Sequence, residues 1–104
     1  MMTTEQRKEI ATTILNQLGG NKFIVMTGAK NIAFGNGEVT FKIGRNSGKC
    51  NHVRITLKSD DTYKMEFINV RKMEWKTVKE FDGVYCDQLV EIFESHTGMY
   101  TKLF

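Results

Sequence analysis

The side chains with the clearest chemical potential are cations that share one stretch of the chain. From Ile10 through Ser59 the sequence has seven Lys or Arg residues and one carboxylate, Glu38. From Glu80 through Tyr100 it has five carboxylates and no Lys or Arg. A domain built this way is expected to be electrically polarised, and a positive face attracts an anionic partner.

Strand alternation gathers several of these cations on one predicted face. Val53, Ile55 and Leu57 alternate with polar residues, which predicts a strand with one apolar and one basic face. No carboxylate occurs between Val39 and Ser59 to neutralise the basic side chains. Lys and Arg contacts to phosphate supply most of the non-specific affinity for nucleic acids. The sequence therefore predicts a DNA- or RNA-binding surface made of Lys42, Arg45, Lys49, His52, Arg54 and Lys58.

The same charge pattern also fits a solvated sheet face that binds nothing. Lys64 and Glu66 follow in the sequence and add charge of both signs. Few aromatic residues are expected on the polar face to stack on bases; Trp75 could be one, but a lone Trp is more often a core residue. A second charged stripe, Asp87, Glu91 and Glu94, is typical of the solvated side of a helix. Its sharper interpretation is a docking surface for a basic partner.

Catalytic and metal chemistry have little support in the sequence. The two histidines, His52 and His96, are far apart, and Cys50 with His52 offers two ligands where zinc usually takes four. Cys86 is expected to be a buried, inert thiol, whereas Cys50 lies in a polar basic loop and is the more plausible reactive one. The glycine-rich segments lack the glycine and lysine spacing of a phosphate-binding loop. We therefore expect no enzyme activity, no cofactor and no metal.

Helices are predicted at both ends of the chain. A capping box at Thr3 and an apolar stripe predict a helix over residues 5–18, which Gly19 and Gly20 end. A second stripe predicts a final helix that Asp82 caps and that ends at Thr97 and Gly98.

Between the two helices, the spacing of the apolar residues indicates strands. The short apolar run over residues 23–26 is consistent with a buried strand. Hairpins are predicted around the turn at residues 35–37 and the turn at residues 59–61, and another short strand or hairpin over residues 70–81.

These elements predict a single α+β domain over residues 1–104, with an antiparallel sheet of four to five strands and an N-terminal and a C-terminal helix packed on one face. The sequence has no apolar run long enough to span a bilayer and no signal-peptide pattern, so we expect a cytoplasmic protein. The sorted charges are also compatible with a homo-oligomer, in which the basic and acidic clusters of two copies would pair. Free thiols are expected in that compartment.

Several segments resemble small proteins of tailed phages, prophages and other mobile elements, a group with no established activity. The similar segments are residues 17–31, 55–57, 61–63, 83–89 and 97–101. They occur in order across most of the chain, although members of that group carry a longer insertion where this chain is short, at residues 71–77. The resemblance implies the cytoplasm of a host cell and two roles: nucleic-acid handling, or binding of a host protein for counter-defence or host takeover. An exposed apolar patch on the tail at residues 99–104 would favour the second role.

Overall fold

Three helices and an antiparallel sheet make up the chain in this computed structural model, which describes residues 3–35, 37–44 and 49–99. In chain order the elements are α1 (Thr4–Leu18), α2 (Asn21–Thr27), β1 (Lys30–Phe34), β2 (Glu38–Lys42), β3 (His52–Leu57), β4 (Tyr63–Arg71), β5 (Glu74–Val84), a 3₁₀ turn (Cys86–Gln88) and α3 (Leu89–Thr97).

The sheet is a meander in which each strand pairs with the next along the chain. Its order among the described residues is β1-β2-β3-β4-β5, and all four ladders are antiparallel. Short connections between consecutive strands impose this arrangement. The predicted α+β fold, with terminal helices on one face of the sheet, is confirmed.

Helix α1 forms as its sequence predicts. The Thr3 hydroxyl accepts from the Gln6 N–H at 3.1 Å, and the Gln6 side chain accepts from the Thr3 N–H at 3.0 Å. This reciprocal pair satisfies two backbone donors that the helix leaves unpaired. Buried side chains follow at Ala11, Ile14 and Leu18, and Gly19 ends the helix.

A phenylalanine cluster joins the helices to the sheet. The ring of Phe23 on α2 lies 5.4 Å from Phe41 on β2 and 5.0 Å from Phe93 on α3, edge to face in each case. Phe67 on β4 lies 6.4 Å from Phe93. All four rings are fully buried. Because large aromatic rings bury more apolar area than other side chains, this cluster is the centre of the core.

The apolar run at residues 23–26 is a helix, so the strand predicted there is wrong. Phe23 and Thr27 are buried one turn apart, whereas Val25 is 78% exposed. Gly28 closes the helix at φ +68°, a left-handed conformation that suits glycine. A run of four apolar residues fits the spacing of a helix or of a strand. The helix is favoured because it places the Phe23 ring against both Phe41 and Phe93.

The final helix begins later than predicted, and Asp82 does not cap it. Strand β5 continues to Val84, and α3 starts at Leu89 after the 3₁₀ turn. The Asp82 carboxylate instead accepts from Lys58 Nζ at 2.7 Å and from the Gly83 N–H at 2.9 Å. The predicted end of the helix at Gly98 is confirmed.

Some sequence-based predictions fall outside the described residues, namely Asn36 in the first hairpin turn, Arg45 in the basic loop and the tail beyond residue 99. Among the described residues, the helices are too short or too polar to cross a bilayer.

Candidate nucleic-acid interface

Three of the predicted basic residues, Lys42, His52 and Arg54, lie on the outer face of the sheet, which we define as the face opposite the described helices. Lys42 on β2 pairs with His52 on β3, and His52 pairs with Ile68 on β4. On the other side, Lys30 on β1 pairs with Lys42. Directly opposed residues of antiparallel strands project to the same face, so these side chains form one row across the sheet.

Trp75 on strand β5 lies on the same face beside this row, and it is not the core residue that its type suggested. Its side chain is 53% exposed. The indole ring lies 5.1 Å from the His52 ring, and the guanidinium carbon of Arg54 lies 5.8 Å from the indole centroid. This geometry is a cation–π contact. We call Lys42, His52, Arg54 and Trp75 the outer-face cluster.

An apolar residue lies under the outer-face cluster. Ile68 pairs with His52 and with Thr77, which places it on the outer face, yet it is only 2% exposed. It is also separate from the hydrophobic core between sheet and helices. Trp75, opposite Val70, occupies the diagonal position to Ile68 in the ladder. Burial of Ile68 therefore favours an indole ring that lies against the sheet.

The Asn51 side chain fixes the His52 ring and its tautomer. Its Nδ2 donates to the Val70 carbonyl at 2.9 Å, and its Oδ1 accepts from the Val70 N–H at 2.8 Å. His52 Nδ1 lies 2.8 Å from the same Oδ1. Because this oxygen is an acceptor, Nδ1 carries the proton, and Nε2 of neutral His52 is left as a hydrogen-bond acceptor.

Burial, and then the charge of Lys42, lowers the pKa of His52 below its ordinary value of 6.5. Desolvation disfavours the imidazolium, and a neighbouring cation repels it. His52 is therefore predominantly neutral at pH 7, and the cationic charge at this point of the row comes from its neighbours.

Arg54 shares its charge with two carboxylates from adjacent strands. Its guanidinium lies 3.6 Å from Glu66 on β4 and 3.9 Å from Glu38 on β2. Residues 39–59 contain no carboxylate in the sequence, but in the sheet Glu38 and Glu66 lie beside Arg54. Arg54 contacts the indole of Trp75, and the two carboxylates offset its charge in the local electrostatic potential.

Lys58 lies apart from the outer-face cluster, at the opposite end of β3. It lies six positions after His52 along an extended strand, a distance of about 20 Å. Its ammonium pairs with Asp82 at 2.7 Å, and Lys64 near the same end pairs with Glu80 at 3.4 Å. The predicted set therefore divides: Lys42, His52 and Arg54 lie together, exposed Lys49 precedes β3, and Lys58 is distant.

The β4–β5 hairpin adds cations that the sequence interpretation missed. Arg71, Lys72 and Lys76 are all exposed at its tip, but Arg71 and Lys76 project from the face opposite Trp75, since they alternate with Val70 and Trp75 along their strands. Lys72 and Met73 form the turn with φ of +50° and +68°. A tight turn of this kind usually has Asn or Gly, so its sequence gave no turn signal. The available clue to an outward-facing indole was the polar residue Thr77, which lies two positions after Trp75 and therefore shares its face of the strand.

The thiols and the second histidine take other roles. Cys50 is buried and Cys86 is exposed, which reverses the expectation from the sequence. His96 stacks on the buried Phe67 ring with centroids 4.3 Å apart, in the last turn of α3. Within the described ranges, His, Cys, Asp and Glu form no group of three that could hold a metal ion.

The chain matches no protein-family model, and no curated protein or solved structure matches it. The chemistry of the outer face is therefore the basis for a functional proposal.

Proposed function

We propose that this chain is a non-enzymatic nucleic-acid-binding protein of a phage or mobile element that acts in the cytoplasm of its host. One observation carries the proposal: an imidazole and a guanidinium contact a half-exposed indole on the outer face of the sheet. Cations neutralise phosphates and an exposed aromatic ring stacks on bases, so the cluster offers a contact for each part of a nucleotide.

The indole is what favours binding over a solvated face. The indole covers Ile68, yet Trp75 remains 53% exposed, so the outer face keeps an open aromatic surface on which a base can stack. In the outer-face cluster the ring is fixed by His52 at 5.1 Å and by Arg54 at 5.8 Å, so little conformational entropy is lost when a ligand covers it.

The proposed contact set keeps Lys42, Lys49, His52 and Arg54 and adds Trp75. Arg45 stays in the set as a prediction from the sequence. Lys58 contributes through the long-range field alone, because its ammonium is paired with Asp82 at the other end of the strand.

Fluorescence anisotropy of labelled DNA and RNA at several salt concentrations tests the proposal. Lys42→Gln is compared with Lys64→Gln, which removes the same charge from the same face but from the ion-paired end. If Lys42 contacts a phosphate, its loss weakens binding and makes the plot of log association constant against log salt concentration less steep, by about 0.7 to 0.9. The control variant should leave that slope unchanged.

Two results would overturn the proposal. Equal effects of the two variants would mean that net charge, and not the outer-face cluster, governs binding. Absence of binding to DNA and RNA at low salt would exclude the function altogether. A host protein that is captured specifically from lysate after nuclease treatment would then support the protein-interaction role.

A further inference from the structure

We propose that the ligand is single-stranded nucleic acid and that one unpaired base stacks on the exposed side of Trp75. This inference rests on the proposed function and specifies its substrate class.

The argument starts from which side of the indole is open. One side of the ring faces the sheet, where His52 and Arg54 contact it and Ile68 is buried beside it. Half of the side chain remains exposed. In a duplex the faces of the bases are already stacked on their neighbours, so an aromatic ring that lies against a sheet reaches base faces only in a single strand.

The cations lie where the backbone of such a strand would run. Trp75 is on β5 and Lys42 is on β2, three strand spacings or about 14 Å across the sheet. Lys30 continues the same row onto β1. A strand with one base on Trp75 can therefore cross the sheet with its phosphates approaching the lysines. Glu66 and Glu38, which pair with Arg54, flank this path and limit the affinity that charge alone provides.

Trp75 is the only Trp of the chain, so its fluorescence reports directly on the proposed contact. The probe is a thymidine homopolymer of about 12 nucleotides, within the range that small single-strand sites cover. The matched duplex with an adenosine homopolymer and the base-free polyanion heparin are the comparison ligands. Stacking quenches tryptophan emission, so we expect quenching by the single strand and little by heparin or the duplex.

Two substitutions separate stacking from charge. Trp75→Leu keeps an apolar residue but removes the ring, and should weaken single-strand binding by roughly 5- to 150-fold. Trp75→Phe keeps an aromatic ring and should retain most of the affinity. Heparin binding should be the same in both variants, because the cations are unchanged. The wild-type quenching measurement needs no variant and stands even if one of them folds poorly.

The outcomes distinguish this inference from the proposed function. Equal binding of single strand and duplex, with no quenching and no effect of Trp75→Leu, would overturn the stacking inference and leave a general nucleic-acid site. Absence of binding to every nucleic acid would overturn both. Quenching by the single strand, with a loss of affinity in Trp75→Leu but not in Trp75→Phe, would support both the stacking inference and the proposed function.

Discussion

Replacement of Asn51 should destabilise the protein by more than a surface substitution normally does. This side chain continues the β3–β4 pairing beyond the end of β3, because its amide donates to the Val70 carbonyl at 2.9 Å and accepts from the Val70 N–H at 2.8 Å. It also holds the His52 ring at 2.8 Å. One polar side chain thus satisfies two partly buried backbone groups and orients a residue of the outer-face cluster.

The magnitude follows from the bonds that are lost. A hydrogen bond of this kind contributes about 0.5 to 1.5 kcal/mol net, so Asn51→Ala should lower the free energy of unfolding by about 1 to 3 kcal/mol. Asn51→Asp keeps the acceptor for the Val70 N–H but turns a carboxylate oxygen toward the Val70 carbonyl. At neutral pH it should therefore be no more stable than the Ala variant.

The Asp variant also has a distinct pH dependence. A protonated carboxyl can donate to the Val70 carbonyl, so the pKa of this new carboxyl should be higher in the folded than in the unfolded chain. The folded state then binds more protons in that interval, and the stability of the variant rises as the pH falls. The Ala variant lacks this group and should not show such a rise.

Urea unfolding followed by circular dichroism measures these free energies by linear extrapolation. The exposed Asn16 on α1, changed to Ala, is the control and should alter stability by no more than about 0.5 kcal/mol. An Asn51→Ala variant within that same margin would refute the bridging role of Asn51. An Asn51→Asp variant as stable as the wild type would contradict the orientation assigned to the amide.

Three further predictions concern the turn, the histidine and the thiols. Lys72→Asn together with Met73→Gly relieves two left-handed residues and should stabilise the protein by about 1 kcal/mol in urea unfolding, after the entropy that glycine adds to the unfolded chain; a loss of stability would contradict the left-handed turn. The pKa of His52 is lower in the folded chain, so as the pH falls the unfolded chain is protonated at His52 before the folded chain is. The contribution of neutral His52 to the free energy of unfolding is therefore full above about pH 6.5 and is lost as the pH falls through the folded pKa. Substituting His52 by Gln should flatten that part of a stability–pH profile, and an unchanged profile would count against the shift. Exposed Cys86 should react with a thiol reagent in the native protein and buried Cys50 only on unfolding, so simultaneous labelling of both would contradict their placement.

Much of the fold was predictable because its signals are local. The capping box at Thr3 and the apolar spacing of α1 act within a few residues, and the β1–β2 and β3–β4 hairpins follow from alternation and turn residues. The strand predicted at residues 23–26 failed for the opposite reason. A four-residue apolar run suits a helix or a strand, and contacts of Phe23 with distant rings decide between them.

The candidate site was predictable in part. Alternation correctly assigned Lys42, His52 and Arg54 to one polar face, because side-chain direction is a property of a single strand. The carboxylates beside Arg54 and the ion pair of Lys58 with Asp82 depend on which strands are neighbours. No reading of charge along the chain reveals them.

Short-range spacing in the sequence accounts for the helix at the start, the meander of strands and the sorting of basic and acidic residues. The tertiary structure alone decided that Trp75 faces outward, that His52 and Arg54 hold it, and that Lys58 is remote from them. The physical reason is register. Pairing β4 with β5 sets which residues share a face and a row, and that pairing is fixed by burial across the whole sheet.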